Sequence, residues 1–159
     1  MKEIKLGLKG KVSQVDNEDF ERVNQFKWYA AKSWNTYYAV RAIRINGKRH
    51  NVFMHRFILG LTDKKDQRDH KDRNGLNNQR HNLRPATSQQ NSINQVGCNK
   101  SSKYKGVYYN KEKRIFSSQI KVNYKSTHIG HFRNEIEAAK AYDRKAKELF
   151  GEFAYLNFR

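Results

Sequence analysis

The rhythm of apolar and polar positions changes three times along the chain. At the start, Ile4, Leu6 and Leu8 alternate with polar residues, the period of a strand with one buried face. DNEDFERVNQFKW then sets Phe20, Val23 and Phe26 at helical spacing behind an acidic opening, which predicts one or two turns of helix. YYAVRAIRINGKRHNVF predicts two strands joined by Asn46-Gly47, a dipeptide that accepts the positive φ angles of a tight hairpin. VFMHRFILG, at 52–60, predicts a short helix closed by Gly60.

The rhythm then stops. RDHKDRNGLNNQRHNLRPATSQQNSIN, at 68–94, has almost no apolar residues and contains Pro85, the sole proline of the chain. Such a stretch cannot bury a core of its own, so it must lean on the preceding region, with Leu76 and Leu83 as anchors. ATSQQNSIN, at 86–94, predicts a short helix with Thr87 or Ser88 as its N-cap. QVGCNKSSK, at 95–103, is small and polar and predicts a linker.

Order returns beyond the linker. KYKGVYYN, RIFSSQIKVN and STHIGHF predict three short strands separated by NKEK and NYK turns. NEIEAAKAYDRKAKELFG predicts a helix capped by Asn134, with Glu137 as its box partner and Gly151 at its close. Ile136, Ala139, Ala146, Leu149 and Phe150 mark its expected inner face, and Tyr104, Val107, Ile120, Ile129 and Phe132 the facing sheet residues. The fold class is therefore α+β.

Charge narrows the function. Lys and Arg number 33 against 15 Asp and Glu, a formal charge of +18 that far exceeds what solubility needs. With 13% aromatic residues the chain folds rather than trailing as a basic tail. A folded protein this basic meets a polyanion, and the absence of a lipidation motif or basic amphipathic helix favours nucleic acid over membrane. No apolar run approaches the roughly 18 residues of a transmembrane helix, and MKEIKLGLKG lacks a signal-peptide core. Cys98 stands alone, which excludes a disulfide framework and a CxxC zinc site. A soluble, intracellular protein is expected.

Candidate chemistry sits in the polar stretch. Asp69-His70, Asn82 and Asn91 have the residue types and order of the HNH (ββα-metal, or His-Me finger) nuclease motif, and residues 54–95 resemble that family through DHKDRNGLNN and NLRPAT…QN. The third motif position is Asn91 in place of His, a variant the family also uses. The resemblance implies His70 as general base and Asp69 and Asn91 as ligands of one divalent ion. Asn82, grouped with the catalytic set, ties the hairpin so that His70 stays oriented. A neutral imidazole can take the proton of an attacking water, and oxygen ligands suit magnesium, with manganese able to substitute. Neighbouring strand residues point to opposite faces, so twist at the strand end must bring Asp69 and His70 into one site. His55 is expected to be structural, His81 a phosphate or solvent contact, and Asp72 a turn-shaping residue.

Residues 101–158 resemble the DNA-binding domain of plant APETALA and ethylene-response-factor (AP2/ERF) proteins, through YKGV, IGHF, EAAKAYDRKA and GEFAYLNF. In that family a three-stranded sheet enters the major groove. By position, Lys105, Tyr108, Arg114, Phe116, Ser118 and Lys121 should fall on the exposed sheet face or its edges, with Lys125 and His128 at the second hairpin. Lys and Tyr where the family places Arg and Trp imply looser base readout.

The resemblances imply four regions: a β-rich support over 1–53, the nuclease core over 54–95, a linker over 96–102, and an AP2/ERF-like sheet and helix over 103–159. The expected activity is magnesium-dependent hydrolysis of double-stranded DNA in the manner of phage and intron homing endonucleases, leaving 5′-phosphate and 3′-hydroxyl ends. One active site per chain makes a monomeric nicking enzyme the expectation, phage-encoded and acting in bacterial cytoplasm, with no membrane and no small-molecule cofactor. The rival is a non-catalytic DNA-binding protein built on the same folds.

Overall fold

The structure is a computed structural model that describes residues 1–7, 10–63, 65–95, 101–123 and 125–158. Leu8, Cys98, Tyr124 and most of the expected linker lie outside the described residues. The chain divides into two compact units, Met1–Ser88 and Gln89–Arg159.

The first unit opens with an antiparallel hairpin of β1 (Lys2–Leu6) and β2 (Lys11–Val15). Helix α1 (Asn17–Asn24) follows, then a meander of β3 (Tyr29–Lys32), β4 (Tyr37–Ile45) and β5 (Lys48–Phe53). The β4–β5 turn has Asn46 at φ 50° and Gly47 at φ 74°, the paired positive angles its sequence accepts. Helix α2 (Met54–Ile58) ends as Gly60 turns to φ 65°. There Gly60 N donates to Phe57 O and Leu61 N to Arg56 O, which satisfies carbonyls the helix end would otherwise leave open. Ile4, Leu6, Val15, Val23, Trp28, Ala39, Met54 and Ile58 form one core, with Phe20, Phe26 and Leu76 packed against it. Residues 1–53 and the α2 segment thus share a single interior.

The polar stretch folds onto that interior as a short hairpin, β6 (Arg68–His70) against β7 (Leu83–Pro85), with a 3-10 turn at Arg80–Asn82. Backbone bonds tie it to β2: Gln14 N donates to Leu76 O, and Asn78 N to Gln14 O. Charged bonds tie it to α1. Asp16 accepts from Arg80 N at 2.7 Å, and the buried Asp19 carboxylate takes Arg80 through Nε (2.7 Å) and Nη2 (2.8 Å). Burial raises the Asp19 carboxyl, but bonds and charge from Arg80 and Arg22 outweigh it and hold the group below its usual range.

Helix α3 (Ser88–Asn94) begins on the last residue of the first unit and continues into the second. The unit continues with β8 (Val107–Asn110), β9 (Ile115–Val122) and β10 (Lys125–Phe132) as an antiparallel sheet in the order 10-9-8. Helix α4 (Glu135–Phe150) packs on one face of it, and Asn134 Oδ1 accepts from Ile136 N at 2.7 Å as its cap. The face of α4 that meets the sheet is Ala138, Ala139, Tyr142 and Ala146, while Ile136 and Leu149 are exposed, against expectation. Alanines let the backbones approach. The approach is closest at Gly106, where a β-carbon would sit 2.0 Å from the Tyr142 ring.

Candidate active site

His70 ends β6 with its ring turned into the first unit, and the residue is only 5% exposed. The ring lies edge-on to His55 at 5.2 Å and tilted to Tyr38 at 5.7 Å, with Nε2 3.3 Å from Asn78 Oδ1. Burial pushes the His70 pKa below its ordinary value, against the upward pull of Asn78, Asp72 and Asp69. The imidazole is therefore neutral at pH 7, the form a general base requires.

His55 stands on α2, packed between Phe53 and His70. Burial, with His70, Arg56 and Arg68 adding repulsion, pushes its pKa down to about 3. The unfolded chain protonates this imidazole below its ordinary value and the folded chain does not. Stability should therefore fall as pH drops from about 6.5 towards that folded value. Urea midpoints measured across that window should decline less steeply in His55→Gln than in the parent.

Asp69 faces Arg84 across the hairpin, in register. Nε and Nη2 of Arg84 reach Oδ2 at 2.9 and 2.7 Å, and both side chains are buried. The loop between the strands is held by its own side chains. Asn82 Oδ1 accepts from Asp72 N (3.1 Å), while its Nδ2 donates to Asp72 Oδ1 (2.9 Å) and to Asn77 O (2.8 Å). Asp72 also accepts from Asn74 N and Asn77 Nδ2, so its oxygens shape the turn. At Gly75 a β-carbon would meet Tyr37 O at 2.5 Å and the Tyr38 ring at 2.7 Å, which seats the loop against the start of β4.

Asn91 lies half-buried on α3 in the second unit, and His81 is exposed in the 3-10 turn. No group of three or more His, Cys, Asp or Glu side chains that could hold a metal gathers among the described residues. The Asp69 carboxylate is a hard oxygen donor of the kind that divalent cations such as magnesium take.

The residues that sequence reasoning missed around His70 are Asn78, Tyr38 and Arg84. Arg84 was accessible once the hairpin was placed, because Asp69 and Arg84 are opposed by its register. Asn78 lay within DHKDRNGLNN without being singled out, and Tyr38 carried no local signal.

The expected DNA contacts of the second unit divide. Tyr108 and Lys121 lie on the face away from α4, Tyr108 in the row of Ser117 and His131 and Lys121 opposite Ser126. Lys125 and His128 are exposed on β10, and Arg114 stands in the β8–β9 turn at φ 50°. Phe116 and Ser118 are not on that face. They share the phase of the buried Ile120: Phe116 packs on Val107, Ala138 and Ala139, and Ser118 is fully buried at 0% exposure. Lys105 is also turned from the expected place, its ammonium donating to Ile93 O and Gln95 O at 2.6 Å each. It meets the carbonyl end of α3, and burial pushes its pKa down to about 8.

A scan against protein-family models matched none. A search of curated proteins found an uncharacterized HNH endonuclease of Acanthamoeba polyphaga mimivirus that is 35% identical over 154 residues, covering 94% of this chain and 76% of that protein. No helix among the described residues is long and apolar enough to cross a membrane. With a likeness of that extent laid over a hairpin that ends in Asp69 and a neutral His70, the chain belongs to the HNH endonuclease family.

Proposed function

We propose that this chain is a magnesium-dependent endonuclease that hydrolyses phosphodiester bonds in duplex DNA and nicks one strand as a monomer. The observation that carries the reading is the placement of His70 beside Asp69 at the end of β6, with burial favouring its neutral imidazole. In this reading His70 accepts the proton of the attacking water. Asp69 and, by motif position, Asn91 hold the cation, which supplies Lewis-acid neutralisation of charge at the phosphate. Asn82 keeps the loop closed so that the imidazole holds its place. Sequencing the ends made on plasmid DNA with and without magnesium tests the activity, the end chemistry and the nick together. Intact plasmid at every magnesium concentration overturns it.

The second unit then serves as an AP2/ERF-like grip on the duplex, with Tyr108, Lys121 and His128 along the outer sheet face, Lys125 exposed at the start of β10 and Arg114 at the β8–β9 turn. Lys105, Phe116 and Ser118 take no part as placed. A surface neutralising about six to eight phosphates gives a log–log salt slope near −5 to −7 for duplex binding. A flat response in a filter-binding titration would remove the basic-surface argument.

The low exposure of His70 favours a second reading, a DNA-binding protein that keeps the nuclease fold without cutting. Binding of duplex DNA without cleavage in either magnesium or manganese is the result that selects it.

A further inference from the structure

Asn78 is 1% exposed and touches His70, yet it belongs to none of the motif positions. Its backbone N donates to Gln14 O, which pins it to β2. Its side chain bridges two groups: Nδ2 donates to Ser13 Oγ at 2.7 Å, and Oδ1 lies 3.3 Å from His70 Nε2.

The bridge has a direction. Ser13 is fully buried, and its hydroxyl donates to Leu76 O at 2.8 Å, with Met54 Sδ a weaker acceptor at 3.2 Å. Both are acceptors only, so the single hydroxyl proton is committed and Ser13 Oγ must accept from Asn78. The Asn78 amide is thereby fixed with its nitrogen towards Ser13 and its oxygen towards the imidazole. Turning the amide over would set its oxygen against Ser13 Oγ, whose proton is already given to a carbonyl, and its NH2 against His70.

An amide oxygen accepts and cannot donate. Its neighbour Nε2 must therefore carry the imidazole proton, and a neutral imidazole carries one. We infer that Ser13 and Asn78 are positioning residues that set the tautomer of His70, leaving Nδ1 as the nitrogen that takes a proton. The inference about catalysis rests on the nuclease reading above, but the tautomer does not. Two residues that are not among the four motif positions thus decide which edge of the ring can act, and one of them lies in the N-terminal hairpin, 65 positions away in sequence from the other.

The test uses the full chain labelled with nitrogen-15 in histidine. Long-range proton–nitrogen spectra near pH 7.5 report which ring nitrogen of His70 is protonated, with the signal identified by its loss in His70→Gln. The wild type should show the proton on Nε2. Ser13→Ala frees the Asn78 amide to turn and Asn78→Leu removes the acceptor, so both should show a mixture of tautomers. Each should lose about 10–100-fold in the single-turnover cleavage rate, the usual effect of removing an orienting partner, with duplex affinity unchanged. Ser13→Thr, which keeps the hydroxyl, should return the wild-type spectrum.

A wild-type spectrum with the proton on Nδ1 overturns the inference whether or not any variant folds. So does an unchanged tautomer and rate in both Ser13→Ala and Asn78→Leu. A wild type that shows the proton on Nε2 but cuts no DNA supports the tautomer assignment and overturns the nuclease reading instead.

Discussion

His70→Ala should lower the proposed magnesium-dependent cleavage by about 10²–10⁴-fold, the range for loss of a positioned general base, with duplex binding retained. The two readouts separate because the outer sheet face that would hold DNA belongs to the second unit, which has its own core around Val107, Ile120, Tyr142 and Ala146. The imidazole packs against Tyr38 and His55, so truncation also removes ring contacts. The comparison is therefore made well below both melting transitions, with circular dichroism as the check on folding. In the parent, the lowered pKa keeps the base free of its proton somewhat below pH 6.5. Cleavage should fade only as acid reaches that lowered value. A His70→Ala protein that cuts at the parental rate would remove the imidazole from the chemistry.

The second large effect is on stability, and it comes from Asp69. Replacing Asp69 by Ala deprives the buried Arg84 guanidinium of its carboxylate, and removing one partner of such a pair costs about 3–5 kcal/mol. The urea midpoint should fall accordingly. Replacing both members with apolar residues of similar size, Asp69→Leu with Arg84→Met, should bring stability back near the parental value, because a well-packed apolar pair avoids the desolvation cost of two charges. That double variant should still fail to cut DNA, since it lacks the carboxylate proposed to hold the cation. Stability and activity would then be separated at one position. A single Asp69→Ala protein with an unchanged midpoint would show that the ion pair contributes nothing net.

Local chemistry was legible in the sequence and long-range pairing was not. Asn46-Gly47 and Gly60 announce their turns because the required backbone angles are a property of the residues themselves. The place of Asp69 and His70 at a strand end followed from the HNH resemblance. Asp19 looked like an ordinary acidic residue in a first helical turn. Its burial and its bonds to Arg80 depend on a contact 61 residues away. Asn78 was hidden for the same reason, since nothing near it in sequence marks it as the partner of Ser13.

The second unit shows a different kind of error. The strand IFSSQIKV is half polar, and the placement of Phe116 and Ser118 on the outer face followed the family resemblance rather than the strand's own phase. Ile120 was assigned to the core, and alternation would have carried Ser118 and Phe116 inward with it. On α4 the expected face divides: Ala139 and Ala146 meet the sheet, whereas Ile136 and Leu149, marked on the same face, are exposed.

The seating of the 76–80 segment on β2 and α1 limits what can be transplanted. A cassette cut at residue 54 would leave behind Gln14, Asp16 and Asp19, the partners that hold Leu76, Asn78 and Arg80. Engineers who want the nuclease motif on another carrier must move the whole Met1–Ser88 body together with α3, which carries Asn91.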